Sequence, residues 1–362
     1  MARMVKAAAL VEPRRIEIRE FPFPEIGTDD AVLRIERAGI CGTDPKLYRG
    51  SRHKDYPYIL GHEILGRIEC IGKEMARRHG LKEGDRVAVE GSVPCGHCTH
   101  CERGWFKFCK HRRGYGTKVS AATPPHLWGG FCEYMYVAPN AVIHKVAEHV
   151  TPQAAIVAAA CLANGIRWIR TIGGASVFKP VVIQGVGPQG LSAVVAAKES
   201  GAFPIIVTGL GQDLPRLTLA RELGADICIN VEKEDVVEAV RNATNGELAD
   251  TVLDVTGSAQ GIALSVQLVK PLGTLVCAGT LPKDGLASIA TNDIVHKEIR
   301  FQGVAGHSYE TTEQAIRLAE SGKYPLEKFI SHEYSLDETD LAIRAMGREI
   351  EGINPIKVAI KP

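Results

Sequence analysis

Short apolar stretches interrupted by Gly and Pro dominate the first part of the chain. Residues 31–35 (Ala-Val-Leu-Arg-Ile) and 85–89 (Asp-Arg-Val-Ala-Val) are representative, with β-branched side chains, turn formers at their ends and little recurrence at helical spacing. The pattern predicts a β-rich domain from about residue 5 to residue 160. Beyond residue 179 the rhythm changes. Strands are expected at 181–183, 205–207, 251–255 and 274–277, and helices at 191–200 and 214–223, with a further helix at 311–321. Strands alternating with helices require right-handed crossovers and build a parallel, doubly wound sheet, so the expected class is α/β.

Length and charge narrow the choice of function. A chain of 362 residues has room for two domains, and 45% apolar content can supply two cores. A formal net charge of +1 gives no ground for binding nucleic acid or an acidic membrane. The opening Met-Ala-Arg-Met-Val-Lys leads into a short mixed segment, and no run of 18 apolar residues occurs. A cytoplasmic protein that spans no membrane is therefore expected, with ten cysteines explained by metal or by reduced thiols.

Four of those cysteines, Cys95, Cys98, Cys101 and Cys109, fall within 15 residues in the spacing Cys-x2-Cys-x2-Cys-x7-Cys. Four thiolates around Zn2+ close its tetrahedral shell, so such a site stabilises a loop and performs no chemistry. An iron-sulfur run competes. It would place the fourth Cys three residues on and follow it with Pro, whereas seven residues intervene here and Lys110 follows.

A second, open site has weaker pieces. Gly39-Ile40-Cys41-Gly42-Thr43-Asp44 sets a thiol beside a hydroxyl and a carboxylate, Gly61-His62-Glu63 offers an imidazole, and Cys161 follows three alanines. Two Cys and one His with a fourth position for water or substrate are a ligand set of catalytic zinc. A lone Cys in an Ala-rich run is by itself more often a small core residue. Asp44 is expected to orient the His62 ring through its other nitrogen. Farther on, Gly185-Val186-Gly187-Pro188-Gln189-Gly190 follows an apolar strand and opens an Ala-rich helix, the setting in which a Gly-x-Gly-x-x-Gly turn cradles a dinucleotide pyrophosphate.

These four motifs, in this order, resemble the zinc-containing alcohol dehydrogenases of the medium-chain dehydrogenase/reductase superfamily, over nearly the whole chain. The resemblance implies a GroES-like β-rich catalytic domain (1–160 with 305–362) and a Rossmann cofactor domain (161–304). It implies one catalytic and one structural Zn2+, NAD or NADP, and interconversion of an alcohol or polyol with its aldehyde or ketone. It places Glu63 close beneath the metal, as an alternative fourth ligand or an electrostatic tuner, Thr43 as first carrier of the alcohol proton, and Arg216 near the ribose hydroxyls. Many relatives carry a relay His where this chain has Lys46, which would need burial to act as a base near neutral pH, and His53 is the alternative. Sugar-alcohol branches use Glu as third ligand, but the neighbours of Cys161 are alanines.

Where an acidic residue would meet the NAD ribose, the chain has Gly209; Asp213, displaced along the loop, is expected to serve the ribose instead, and no Arg or Lys directly follows. That favours NAD over NADP. The basic residues Lys46, Arg49, Arg52, His53 and Lys54, and Lys110, His111, Arg112 and Arg113, read as solvated faces, or else as recognition of an anionic hydroxy compound. The region 299–304 resembles the edge along which relatives join sheets, so a homodimer or homotetramer is expected. A zinc-free quinone or enal reductase lacks both ligand motifs, and a zinc-knuckle nucleic-acid module disagrees with the neutral charge.

Overall fold

The structure, a computed structural model, describes residues 3–51, 55–282 and 284–362. The chain forms two compact units, the first comprising Met1–Ala159, Ile316–Gly322 and Leu326–Pro362, the second Ala160–Ala315 and Lys323–Pro325. The return to the first unit was expected near residue 305, yet 305 and 306 belong to the second. Their carbonyls accept hydrogen bonds from the Arg167 guanidinium (3.3 and 3.0 Å), and Gly306 also accepts from the Trp168 indole (3.0 Å).

In the first unit, the described residues build a seven-stranded sheet with Tyr134–Val137 as a side branch on Ala31–Ile40. The main path runs Ile143–Lys145, Arg86–Glu90, Glu63–Ile71, Ala31–Ile40, Lys357–Lys361 and Ile330–Ser335. Ala31–Ile40 outruns the predicted 31–35 because its polar residues are matched across the sheet. Glu36 takes Arg67 and Arg86 at 2.7 and 2.8 Å, Arg37 takes Glu333 at 2.7 Å, and two register shifts absorb the irregularity. Leu33, Ile64, Val87, Tyr115, Trp128 and Phe131 are among the side chains that fill the core beneath.

The second unit carries a six-stranded parallel sheet. Its order is Ile227–Asn230, Ile205–Gly209, Val181–Gln184, Ala249–Asp254, Val269–Cys277, Arg300–Gly303. This is the 3-2-1-4-5-6 order of a dinucleotide-binding sheet. Val181–Gln184 and Ile205–Gly209 are buried at every residue, as strands covered on both faces must be. The order reverses between Val181–Gln184 and Ala249–Asp254, so a crevice opens at their carboxyl ends, where the glycine-rich turn stands. The following helix spans Pro188–Glu199, earlier than the predicted 191–200, because a Pro that reads as a breaker is favoured in the first helical turn.

The stretch Pro152–Ile172 is, among the described residues, long and apolar enough to cross a membrane by length and composition, but 67% of that window is buried inside the protein. It is a core helix. Two π-helical segments interrupt it, at Ala158–Leu162 and Ile166–Ile172, and the first contains Cys161. Such wide turns occur mostly at functional positions.

Candidate active site

Cys95, Cys98, Cys101 and Cys109 lie on the lobe between Ser92–Val93 and Arg113–Gly114, two short strands that pair antiparallel and close its base. All four sulfurs fall within 4.8 Å of one another, with Cys98 Sγ 3.5 Å and Cys95 Sγ 4.0 Å from Cys101 Sγ. A zinc tetrahedron with bonds of about 2.3 Å has sulfur-sulfur edges of about 3.8 Å, so the set fits this ion. Hydrogen bonding from the Cys101 backbone N–H, aided by the neighbouring thiols, pulls the Cys98 thiol down to about 6, while burial pushes Cys101 up to about 12. One sulfur is thus ready to bind as thiolate. Among the described residues this is the one group of three or more His, Cys, Asp or Glu donors spaced to share an ion.

The first unit also brings Cys41, Thr43, Asp44 and His62 together. Strand Ala31–Ile40 ends one residue before Cys41, and the short helix Asp44–Tyr48 begins three residues later. Asp44 is fully buried. Its Oδ2 accepts the Cys41 backbone N–H at 2.7 Å, and its Oδ1 faces His62 Nδ1 at 3.5 Å. Cys41 Sγ lies 3.5 Å from Thr43 Oγ1. Burial works against a charged His62, but the Asp44 carboxylate and the Cys41 sulfur outweigh it and hold the imidazole well above the ordinary histidine value.

Glu63 is committed elsewhere. Its carboxylate pairs with Lys357 Nζ at 2.5 Å, and the ammonium also donates to Ile40 O at 3.3 Å. Sequence reading missed Lys357, whose partner stands 294 positions away along the chain. Lys46 is exposed, so it lacks the burial that a lysine base requires. Arg49 is held by Glu349 at 2.5 Å and Arg112 donates to Lys107 O at 3.1 Å, while Lys110, His111 and Arg113 are exposed. Arg52, His53 and Lys54 lie outside the described residues.

In the second unit the three loop glycines have different surroundings. Gly185 has φ +96°, a left-handed turn open to glycine. A Cβ on Gly190 would sit 1.9 Å from Gly185 O, whereas one on Gly187 would meet no atom within 4 Å. Turn, open approach and close packing are the three roles that a pyrophosphate loop needs. Pro188 and Gln189 open the helix, whose N-terminal dipole points to the same place.

Cys161 is buried in this unit. Three residues on, Asn164 donates to Ala160 O at 2.9 Å and to Gln189 Oε1 at 3.2 Å, and its Oδ1 lies 3.2 Å from His307 Nδ1. The helix bearing Cys161 is thereby tied to the glycine-rich loop. Sequence reading passed over Asn164 and His307. The available signal was a lone amide one turn beyond Cys161 in an otherwise apolar run.

Beyond the strand Ile205–Gly209, Asp213 is buried and does not stand ready for a ribose. Its Oδ2 accepts the Leu210 N–H at 3.2 Å, and its Oδ1 pairs with the buried Arg216 guanidinium. Gly209 carries only backbone toward Val186 and Leu217, whose side chains would meet a Cβ at 3.0 and 3.2 Å.

Residues 27–148 match the alcohol dehydrogenase GroES-like domain, and residues 188–321 match the zinc-binding dehydrogenase domain. A Mycobacterium tuberculosis protein named "Probable alcohol dehydrogenase adh" is 37% identical over 99% of both chains. This chain belongs to the zinc-type alcohol dehydrogenases of the medium-chain dehydrogenase/reductase superfamily. Sorbitol dehydrogenase of Bacillus subtilis is 30% identical over 99% of this chain and 97% of its own length. The crystal structure of an alcohol dehydrogenase from Thermotoga maritima superimposes with a TM-score of 0.90 at 28% identity, covering 99% of this chain and 100% of that one. The protein is accordingly an NAD(P)-linked oxidoreductase acting on alcohols or polyols, with the GroES-like and Rossmann architecture of that superfamily.

Proposed function

We propose that the protein oxidises a primary or secondary hydroxyl of a small alcohol or polyol with NAD(P)+, at a catalytic Zn2+ held by Cys41 and His62, with Cys161 the third ligand that the family pattern implies. The observation that carries this reading is Asp44, a wholly buried carboxylate that fixes the Cys41 backbone and faces the His62 ring from the Nδ1 side. That geometry leaves Nε2 for a metal. Bound zinc would supply Lewis acidity toward the substrate oxygen, and bound dinucleotide a hydride acceptor.

The chain's own residues do the rest. Thr43, whose Oγ1 lies 3.5 Å from Cys41 Sγ, relays the hydroxyl proton, accepting it as it gives its own to solvent water. Asp44 keeps His62 in one orientation. Lys357 pairs with Glu63, the residue next to His62 in the chain, so that carboxylate is engaged by an ammonium. Gly185, Gly187 and Gly190 admit the pyrophosphate against the Pro188–Glu199 helix. Arg49 and Arg112 are already engaged, so neither is offered for recognition of an anionic substrate. The edge strand Arg300–Gly303, exposed at all four residues, supports a homodimer or homotetramer joined there.

Metal analysis combined with an NAD(P)-linked oxidation assay over neutral, polyol and acidic alcohols tests the whole reading. Two zinc ions per chain and turnover of neutral or polyol alcohols are expected; a metal-free active protein would instead indicate a zinc-free reductase. Cys101→Ser is expected to remove one zinc and expose the 95–113 lobe to proteolysis. The lobe turns Trp105 and Phe108 to solvent (55 and 59% exposed), so it has little apolar burial to hold it without the ion. Dinucleotide binding should persist in this variant, as a fluorescence titration would register.

A further inference from the structure

The adenosine ribose of a dinucleotide meets a doubly wound sheet at the end of the second strand, where an acidic side chain ordinarily accepts its hydroxyls. Here that strand is Ile205–Gly209. It stands beside the glycine-rich turn, with the Gly185 N–H donating to Thr208 O at 3.2 Å. Gly209 offers no acid, and Asp213 is consumed by Leu210 and Arg216.

A carboxylate reaches this turn from the neighbouring strand. Gly209 and Asn230 are partners in the parallel register, and the Val231 N–H donates to Gly209 O at 3.1 Å. The next residue, Glu232, extends across the turn, and its Oε2 accepts the Gly211 N–H at 2.7 Å. A Cβ on Gly211 would lie 2.9 Å from that oxygen, so a side chain there would crowd the carboxylate. Asn230 Oδ1 accepts the Glu232 N–H at 3.0 Å and fixes the reach. The cation nearest in sequence is Lys233, whose side chain is exposed.

We propose that Glu232 sets the choice of cofactor: its carboxylate stands in for the acid missing at Gly209, accepts a ribose hydroxyl and repels a 2′-phosphate, making the protein selective for NAD. The inference rests on the NAD(P)-linked reading and adds which dinucleotide is taken and by which residue. It needs no metal and no turnover to be tested.

The test is fluorescence titration of the full-length protein with NADH and with NADPH. NADH should bind at least about tenfold more tightly than NADPH to the native protein, one charge contact being worth about that factor. Glu232→Gln keeps a group able to accept the Gly211 N–H and removes only the charge. It should tighten NADPH and shrink the ratio about tenfold, whereas Lys233→Gln should leave the ratio within about twofold. The proposal is overturned if the native protein prefers NADPH, if Glu232→Gln leaves the ratio unchanged, or if Lys233→Gln moves it more than Glu232→Gln does. Absence of binding by either nucleotide in all three proteins overturns the dinucleotide reading itself, a result distinct from any change in the ratio.

Discussion

Replacing Cys41 with alanine is expected to lower kcat/KM for alcohol oxidation by about a thousandfold or more, because Lewis-acid stabilisation of the substrate oxygen is worth several kcal/mol and each 1.4 kcal/mol is about tenfold. Zinc content should fall from two ions per chain to one, the knuckle retaining its own. NADH affinity should stay within about twofold, since the pyrophosphate is held by the turn of Gly185, Gly187 and Gly190, to which Cys41 does not belong. Asp44→Asn provides the graded control. The amide can still face His62 but carries no charge, and loss of such an orienting partner lowers metal affinity or activity about 10–100-fold. Metal analysis, steady-state kinetics and NADH titration of the two variants separate these effects. An undiminished rate in Cys41→Ala would remove the catalytic-zinc reading and leave the cofactor site standing.

The parts of the site visible in the sequence are those set by local spacing. Cys95, Cys98, Cys101 and Cys109 announce themselves because one short segment must place four sulfurs around one point, and the structure does so within 4.8 Å. Gly185, Gly187 and Gly190 are legible for a similar reason, since turn, open approach and close packing fall within six residues. The parallel sheet also follows from a local rhythm, although element ends shift wherever Pro opens a helix or a bulge extends a strand. What stays hidden depends on contacts across the fold. Nothing near Glu63 in sequence foretells its ion pair with Lys357, since antiparallel pairing of Val358 with Ile40 is what delivers the ammonium. Asp213 looks available for a ribose in the sequence because its partner Arg216, three residues on, reads as a ligand contact. In the fold the two satisfy each other. Glu232 is invisible for the opposite reason: its relevance arises only once the Gly209–Asn230 register is known.

Two alanine substitutions in the glycine-rich turn should part company. In Gly190→Ala the new methyl meets Gly185 O at 1.9 Å and Gly185 C at 3.0 Å, both backbone atoms of the turn itself. No rotamer change relieves that contact, so the start of the Pro188–Glu199 helix must move away from the strand end. Overpacking of this kind costs about 2–3 kcal/mol. A fall in Tm of about 5–10 °C is expected, together with weaker NADH binding by about a hundredfold if the displacement is felt fully in the bound state. Gly187 has φ −70° and ψ −176°, a conformation open to any residue, and a methyl there meets nothing within 4 Å. Gly187→Ala should therefore fold with an unchanged Tm. Its methyl nonetheless occupies the space through which the pyrophosphate approaches the helix N-terminus, so NADH affinity should drop while stability does not. Thermal melts and NADH titrations of both variants provide the comparison. If Gly187→Ala bound NADH as tightly as the native protein, the phosphates would have to lie elsewhere, and the open side of the turn would need another occupant.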